Sequence, residues 1–178
     1  MDLGVISVRY ARALLKSSAE AKLEDEVYHE MQTLAKSYIS VPELRFTIDN
    51  PMLAKDKKED ILITACGGKV TDLTASFIKL VLGEDRENTL QFMANSYITL
   101  YRQQKNITRG KLTTAAVVSA ATEQKTKQMV ESKTNGTVEF ETEVNPEIIG
   151  GFILEYDTYR LDASVQNQLR TVLTQLTK

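Results

Sequence analysis

Near residue 105 of this 178-residue chain the apolar residues, until then at every third or fourth position, begin to recur at every second. A helix returns to the same face every 3.6 residues and a strand every two, so neither an all-helical nor an all-β fold suits the whole chain. Before the change, Ile6, Tyr10, Ala13 and Leu14 share one helical face, as do Leu23, Val27, Met31, Leu34 and Tyr38. Leu73, Phe77, Leu80 and Val81 repeat the pattern, and Leu90, Met93, Ala94, Tyr97, Ile98 and Tyr101 extend it over three turns. Pro42 and Pro51 stand where a helix can begin, and Gly67-Gly68 and Gly83 stand where one can stop. The spacing predicts six helices, near 5–20, 23–39, 43–49, 55–66, 72–83 and 87–105. Short amphipathic helices bury their stripes only against one another, which predicts a bundle.

Beyond Gln103-Gln104-Lys105-Asn106 the pattern predicts a strand over Leu112–Val118 and a second over Thr137–Val144. In the second, Val138, Phe140 and Val144 alternate with Glu139, Glu141 and Glu143, the mark of a strand with one buried face. Phe152, Leu154 and Tyr156 alternate again, and Asp157-Thr158 forms a turn before Tyr159 and Leu161. A polar helix is expected over 122–134 and an amphipathic one through Val165, Leu169, Val172, Leu173 and Leu176, with Ser164 as its N-cap. The fold class is α + α/β: an N-terminal six-helix bundle over 1–105 and a small C-terminal α/β domain over 106–178, with 103–111 as a polar linker.

Charge and composition exclude several functions. The formal charge is −2, and both halves are near neutral, which argues against a nucleic-acid partner. Cys66, the one cysteine, cannot form an internal disulfide, and no run approaches the ~18 apolar residues of a membrane helix. Residues 3–19 carry Arg9, Arg12 and Lys16 without an acid, a faint likeness to a transit peptide. Glu20, Glu24, Asp25 and Glu26 follow at once, so the stretch is read as part of the mature fold.

The stock for catalysis is thin. Gly67-Gly68-Lys69 lacks the earlier Gly and following Ser or Thr of a phosphate loop and reads as a helix stop. Glu139, Glu141 and Glu143 could hold a hard cation, but a solvated outer face that discourages edge pairing is the stronger reading. His29 has no site partners in the sequence, and Cys66 lies among apolar neighbours. Gly150-Gly151 inside an apolar run points to a close approach by another segment, and Asp162 and Ser164 suit the start of the last helix. No cofactor or metal is expected.

The run Asn145-Pro146-Glu147-Ile148-Ile149-Gly150-Gly151-Phe152-Ile153-Leu154, followed by Arg160-Leu161-Asp162-Ala163-Ser164-Val165, closely resembles the C-terminal signature of the F-type ATP synthase delta subunit and oligomycin-sensitivity-conferring protein family. Tyr10-Ala11-Arg12-Ala13-Leu14, Asn50-Pro51 and Arg86-Glu87-Asn88 fit the same family, in order along nearly the whole chain. Gln166 stands where the family often has a basic residue, and Glu84-Asp85-Arg86 where it often has Asn-x-Arg. The resemblance implies a non-catalytic stator part, one copy per complex. Its helical domain would grip the N-terminal helix of an alpha subunit, and its α/β domain would meet the C-terminal region of the b subunit. It implies a peripheral membrane protein on the cytoplasmic side of a bacterial inner membrane, held there only through the complex. Tyr10, Ala13, Leu14, Phe77, Leu80 and Val81 are then expected to line or wall the groove for the alpha subunit, with Gly150, Gly151, Asp162 and Ser164 as structural signature residues. A generic two-domain adaptor is the alternative, and an enzyme built on the Glu139, Glu141, Glu143 face with Asp162 a distant third.

Overall fold

A computed structural model describes residues 3–117, 137–156 and 158–176, together with residues 124, 128 and 131. The chain divides into two compact units, Met1–Gln103 and Gln104–Lys178.

The first unit is a helical bundle of α1 (Leu3–Ala21), α2 (Glu24–Ser40), α3 (Glu43–Ile48), α4 (Lys55–Ala65), α5 (Asp72–Gly83) and α6 (Leu90–Lys105), the last preceded by a 3-10 turn at Glu87–Thr89. The helices expected from periodicity are present within two residues at each end, except that the sixth is split by this turn. The stripes meet as their spacing requires: Val27, Met31, Leu34, Ile48, Leu62, Ile78, Val81, Leu90, Ala94 and Tyr97 are fully buried or nearly so. Tyr97 carries a hydroxyl into this core, where it lies 2.9 Å from Ser18 Oγ and donates to the Glu24 carbonyl. Burial pushes its phenol up to about 12. Cys66 is buried in the same bundle, and loss of solvation pushes its thiol up to about 12.

Helix ends explain the turns. After α4, Gly67 and Gly68 have φ of +113° and +84°, and their N–H groups donate to Thr64 and Ile63 carbonyls, both at 3.0 Å. That is the paired closure typical of a left-handed helix stop. After α5 the left-handed residue is Asp85 (φ +51°), and Arg86 N–H closes onto the Val81 carbonyl. Gly83, expected to be the stop, is instead the last helical residue. Asp tolerates this region better than most side chains, and Lys55 Nζ, 2.7 Å from Asp85 Oδ1, fastens it to α4. Lys58, one turn along, is buried and lies 2.6 Å from Glu87 Oε1. Two lysines of α4 thus hold the turn between α5 and α6.

The second unit is a four-stranded mixed sheet of β1 (Ile107–Thr114), β2 (Thr137–Val144), β3 (Phe152–Tyr156) and β4 (Tyr159–Asp162), with α7 (Val165–Leu176) after it. The strand order is β2-β1-β3-β4, with β1 and β2 parallel and the other pairs antiparallel. β1 begins at Ile107 and ends at Thr114, so most of the expected linker is strand and the expected strand end at Val118 is too late. Arg109 and Lys111 made the segment look like a linker. They lie on the charged face, where Arg109 pairs with Glu141 and Lys111 with Glu143, each at 2.6 Å. Leu112, Val138 and Leu154 form the small core of the opposite face, with Phe152 and Tyr156 packed against it. Val144, grouped with Val138 from sequence, is half exposed at the strand end. The expected 122–134 helix and residue Asp157 of the expected turn lie largely outside the described residues.

Candidate partner-binding site

In the first unit the residues singled out from sequence fall on α1 and α5 and separate into three classes. Leu14, Phe77 and Val81 are interior, each under 8% exposed. Tyr10 is half-buried, whereas Ala13 and Leu80 face outward, Leu80 at 53% exposure. Leu14 and Val81 therefore serve the bundle's own packing. Phe77 joins core to surface, because its ring meets Tyr10 edge-on at 6.4 Å between centroids.

This contact sets the geometry of the face. At about 100° per residue, Ile6 and Ala13 flank Tyr10 on α1, and Leu73 and Leu80 flank Phe77 on α5. Ile6 and Leu73 are half-buried. The two helices thus share a shallow apolar strip with a Tyr–Phe pair at its base. Arg86, from the turn held by α4, donates from Nη1 to Tyr10 Oη at 3.1 Å and stacks on the Tyr10 ring at 5.4 Å. The Tyr10 ring is therefore pinned from α5 and from the turn beyond it. Sequence reading named neither Leu73 nor Arg86 for this face; Leu73 was legible as a member of the α5 stripe, and Arg86 was not, since its contact spans 76 positions.

The second unit carries its own uncovered face. The α7 stripe has the spacing of a packing face, yet Leu169, Val172, Leu173 and Leu176 are each more than half exposed. With Ile149, Gln166 and Arg170 they line an apolar depression. Ile149 has φ +69° and ψ −43°, and Gly150 N–H donates to the Ile148 carbonyl at 2.8 Å. This is a tight γ-turn of the strained hand, a conformation that β-branched residues avoid. It holds an isoleucine at 63% exposure beside the α7 stripe. The signal in the sequence was the near absence of charge from α7, where Arg170 is alone between Val165 and Leu176.

Gly150, Gly151, Asp162 and Ser164 come together at the base of that helix. A Cβ on Gly151 would lie 2.2 Å from the Ala163 carbonyl oxygen, and one on Gly150 3.1 Å from Val165 Cγ2. Val165 N–H donates to the Gly150 carbonyl and Ala163 N–H to that of Phe152, both at 3.0 Å. Asp162 Oδ1 accepts from Ser164 Oγ (2.6 Å) and Ser164 N (3.1 Å), which holds its carboxyl below the usual carboxylate range. Ser164 Oγ in turn accepts from Asn167 N–H, the expected N-cap. The signature is thus a docking of helix onto strand.

The charged face offers no comparable site. Glu141 and Glu143 each face a cation across the strand, and among the described residues no three His, Cys, Asp or Glu side chains gather as metal ligands. His29 is exposed. No helix among the described residues is long and apolar enough to cross a membrane.

A sequence model of the ATP synthase delta (OSCP) subunit matches residues 6–176. The chain belongs to this family. It is 49% identical over 176 residues to the ATP synthase subunit delta of Phocaeicola vulgatus, covering 98% of this chain and 95% of the relative. The subunit delta of Parabacteroides distasonis is 42% identical over 99% of this chain and 98% of its own. A chain in the cryo-EM structure of the Toxoplasma gondii mitochondrial ATP synthase hexamer has the same fold, with a TM-score of 0.67 over 97% of both chains at 21% identity. The family is that of a structural subunit of the ATP synthase, and its role is that of a stator.

Proposed function

We propose that the α1–α5 face receives the N-terminal helix of an alpha subunit of the catalytic head, and that the α7 stripe with Ile149 receives the C-terminal region of the b subunit. The observation that carries the first assignment is the Tyr10–Phe77 pair, flanked by outward Ala13 and Leu80. An amphipathic helix laid in such a strip buries its apolar side against both helices. The second assignment rests on the Leu169, Val172, Leu173, Leu176 stripe. Its i, i+3, i+4, i+7 spacing is that of a helix–helix seam. Two uncovered apolar faces on two units suit a tether that holds the head against rotor torque, without a catalytic step or cofactor of its own. The protein would then act in one copy per complex, on the cytoplasmic side of a bacterial inner membrane.

The test is calorimetric titration of the full chain with a synthetic peptide spanning the N-terminal helix of an alpha subunit. Tyr10→Asp and Leu80→Asp are expected to weaken binding at least tenfold while circular dichroism stays native. Unchanged binding in a folded Tyr10→Asp variant would remove the α1–α5 assignment. A generic adaptor of another complex is the competing reading, and a pull-down from native membranes lacking both alpha and b subunits would favour it.

A further inference from the structure

Arg86 stands in the run Glu84-Asp85-Arg86-Glu87, with an acid on either side. Its guanidinium is nevertheless turned to a neutral partner, the Tyr10 phenol, which it meets at 3.1 Å from Nη1 and at 5.4 Å over the ring. Both flanking acids are occupied from α4. Lys55 Nζ lies 2.7 Å from Asp85 Oδ1 and also donates to the Gly83 carbonyl at 3.3 Å. Lys58 Nζ lies 2.6 Å from Glu87 Oε1, on a lysine side chain only 4% exposed. The Arg86 backbone is closed at both ends as well. Its N–H donates to the Val81 carbonyl at 3.0 Å, and its own carbonyl accepts from Thr89 N–H (3.0 Å) and Thr89 Oγ1 (2.8 Å). The turn is thus fixed, and its arginine side chain reaches out of it to the base of the apolar strip.

We infer that Arg86 is a positioning residue of the α1–α5 strip, and that Lys58, with Lys55 as a weaker second, sets the strip's affinity for a helix by keeping the flanking acids off that arginine. The inference rests on the groove reading and adds to it a control on α4, a helix that supplies no residue to the strip. Phe77 meets the Tyr10 ring edge-on, whereas Arg86 covers the ring and holds its hydroxyl. A ring ordered in advance spares the incoming helix the cost of ordering it. A carboxylate is a stronger acceptor for a guanidinium than a phenol is, by roughly a factor of two. Tyr10 therefore keeps Arg86 only while each neighbouring carboxylate has its own lysine. Lys58 weighs more because its pair with Glu87 is largely buried and a stranded Glu87 has little water to turn to. The Lys55–Asp85 pair is exposed, and solvent readily replaces its lysine.

The experiment uses the full chain, the synthetic alpha-subunit peptide in calorimetry, and NMR of the chain with 13C-labelled tyrosine rings. Arg86→Ala is expected to weaken peptide binding about three- to tenfold and to move the Tyr10 ring signals, with native circular dichroism. Arg86→Lys, which keeps the charge but not the planar stack, should restore binding only in part. Lys58→Met should move the Tyr10 signals of the peptide-free chain toward those of Arg86→Ala and weaken binding. Adding Glu87→Gln, which removes the competing charge, should reverse both changes. On an Arg86→Ala background Lys58→Met should weaken binding no further, since the lysine acts through the arginine. If Lys58→Met fails to fold, Lys55→Met decides, with a smaller shift of the same signals expected; unmoved signals would overturn the control from α4. Additive losses of binding in the double variant would overturn that control too. Unchanged binding and unmoved Tyr10 signals in Arg86→Ala would overturn the positioning role and leave the groove reading intact. Failure of the unsubstituted chain to bind the peptide would remove the groove reading and this inference with it.

Discussion

Gly151 gives the sharpest test of the second unit. Its φ of +75° costs an alanine roughly 1–2 kcal/mol. A Cβ there would also sit 2.2 Å from the Ala163 carbonyl oxygen, a backbone atom that cannot swing aside. Relief requires the segment 162–165 to lift from β3. That movement weakens the Ala163 N–H and Val165 N–H bonds, both at 3.0 Å, which contribute about 1 kcal/mol each. Gly151→Ala should therefore cost about 3–4 kcal/mol. At 0.05–0.15 kcal/mol per residue, a unit spanning Gln104–Lys178 is stable by only about 4–11 kcal/mol. Its cluster of three fully buried side chains puts it toward the lower end. Urea titration of the full chain, followed by amide NMR, should show residues 137–176 losing dispersion at much lower denaturant than in the unsubstituted chain. Residues 3–103 should unfold as before. Gly150→Ala is the control: its Cβ would meet only the Val165 side chain at 3.1 Å, which yields, and the cost should stay near 1 kcal/mol. Equal costs for the two substitutions, or no cost for Gly151→Ala, would refute the close-approach argument.

Lys58→Met leaves the largely buried Glu87 carboxylate without its cation and should lower the stability of the bundle by about 3–5 kcal/mol in thermal unfolding. Adding Glu87→Leu should recover most of that loss. Cys66 keeps its proton up to about 12 when folded and releases it near 9 when unfolded, so the unfolded state binds fewer protons between these values. Its contribution is fully present below pH 9 and is lost as pH rises from 9 toward 12, by up to about 1.4 kcal/mol per pH unit; Cys66→Ala should flatten that slope in denaturant titrations at pH 8, 9 and 10. Ile149→Gly relieves the strained turn and should stabilise the second unit by about 1 kcal/mol. The same change should weaken capture of a fragment from the C-terminal region of the b subunit, as measured by calorimetry.

The bundle was legible because long apolar stripes leave one way to hide them. The stripe through Leu90 and Tyr101, for example, is buried from end to end. β1 was misplaced because Gly110, Arg109 and Lys111 carry no apolar alternation, although their charges alternate against Glu141 and Glu143. Periodicity reports only that a face is apolar, not what covers it. Hence the α6 and α7 stripes look alike in sequence, while one is core and the other open. The same limit applies to Leu14 and Val81, whose interior placement depends on which flank of α1 meets α5. Contacts such as Arg86 with Tyr10 join residues far apart in the chain and leave no local mark.

The burial of Cys66 has a practical consequence for following this tether under load. Burial holds this thiol well above the usual cysteine range, and only the thiolate attacks a maleimide, so at pH 7.5 it reacts far more slowly than an exposed cysteine. A cysteine introduced at an exposed position outside both faces, such as Lys36 or Glu147, would take up a maleimide dye while the native thiol stays dark. With no tryptophan in the sequence, a single introduced indole would be equally unambiguous. The chain as it stands carries neither an indole nor an accessible thiol to compete with an introduced label, so a distance between the two units can be read on it while the rotor turns.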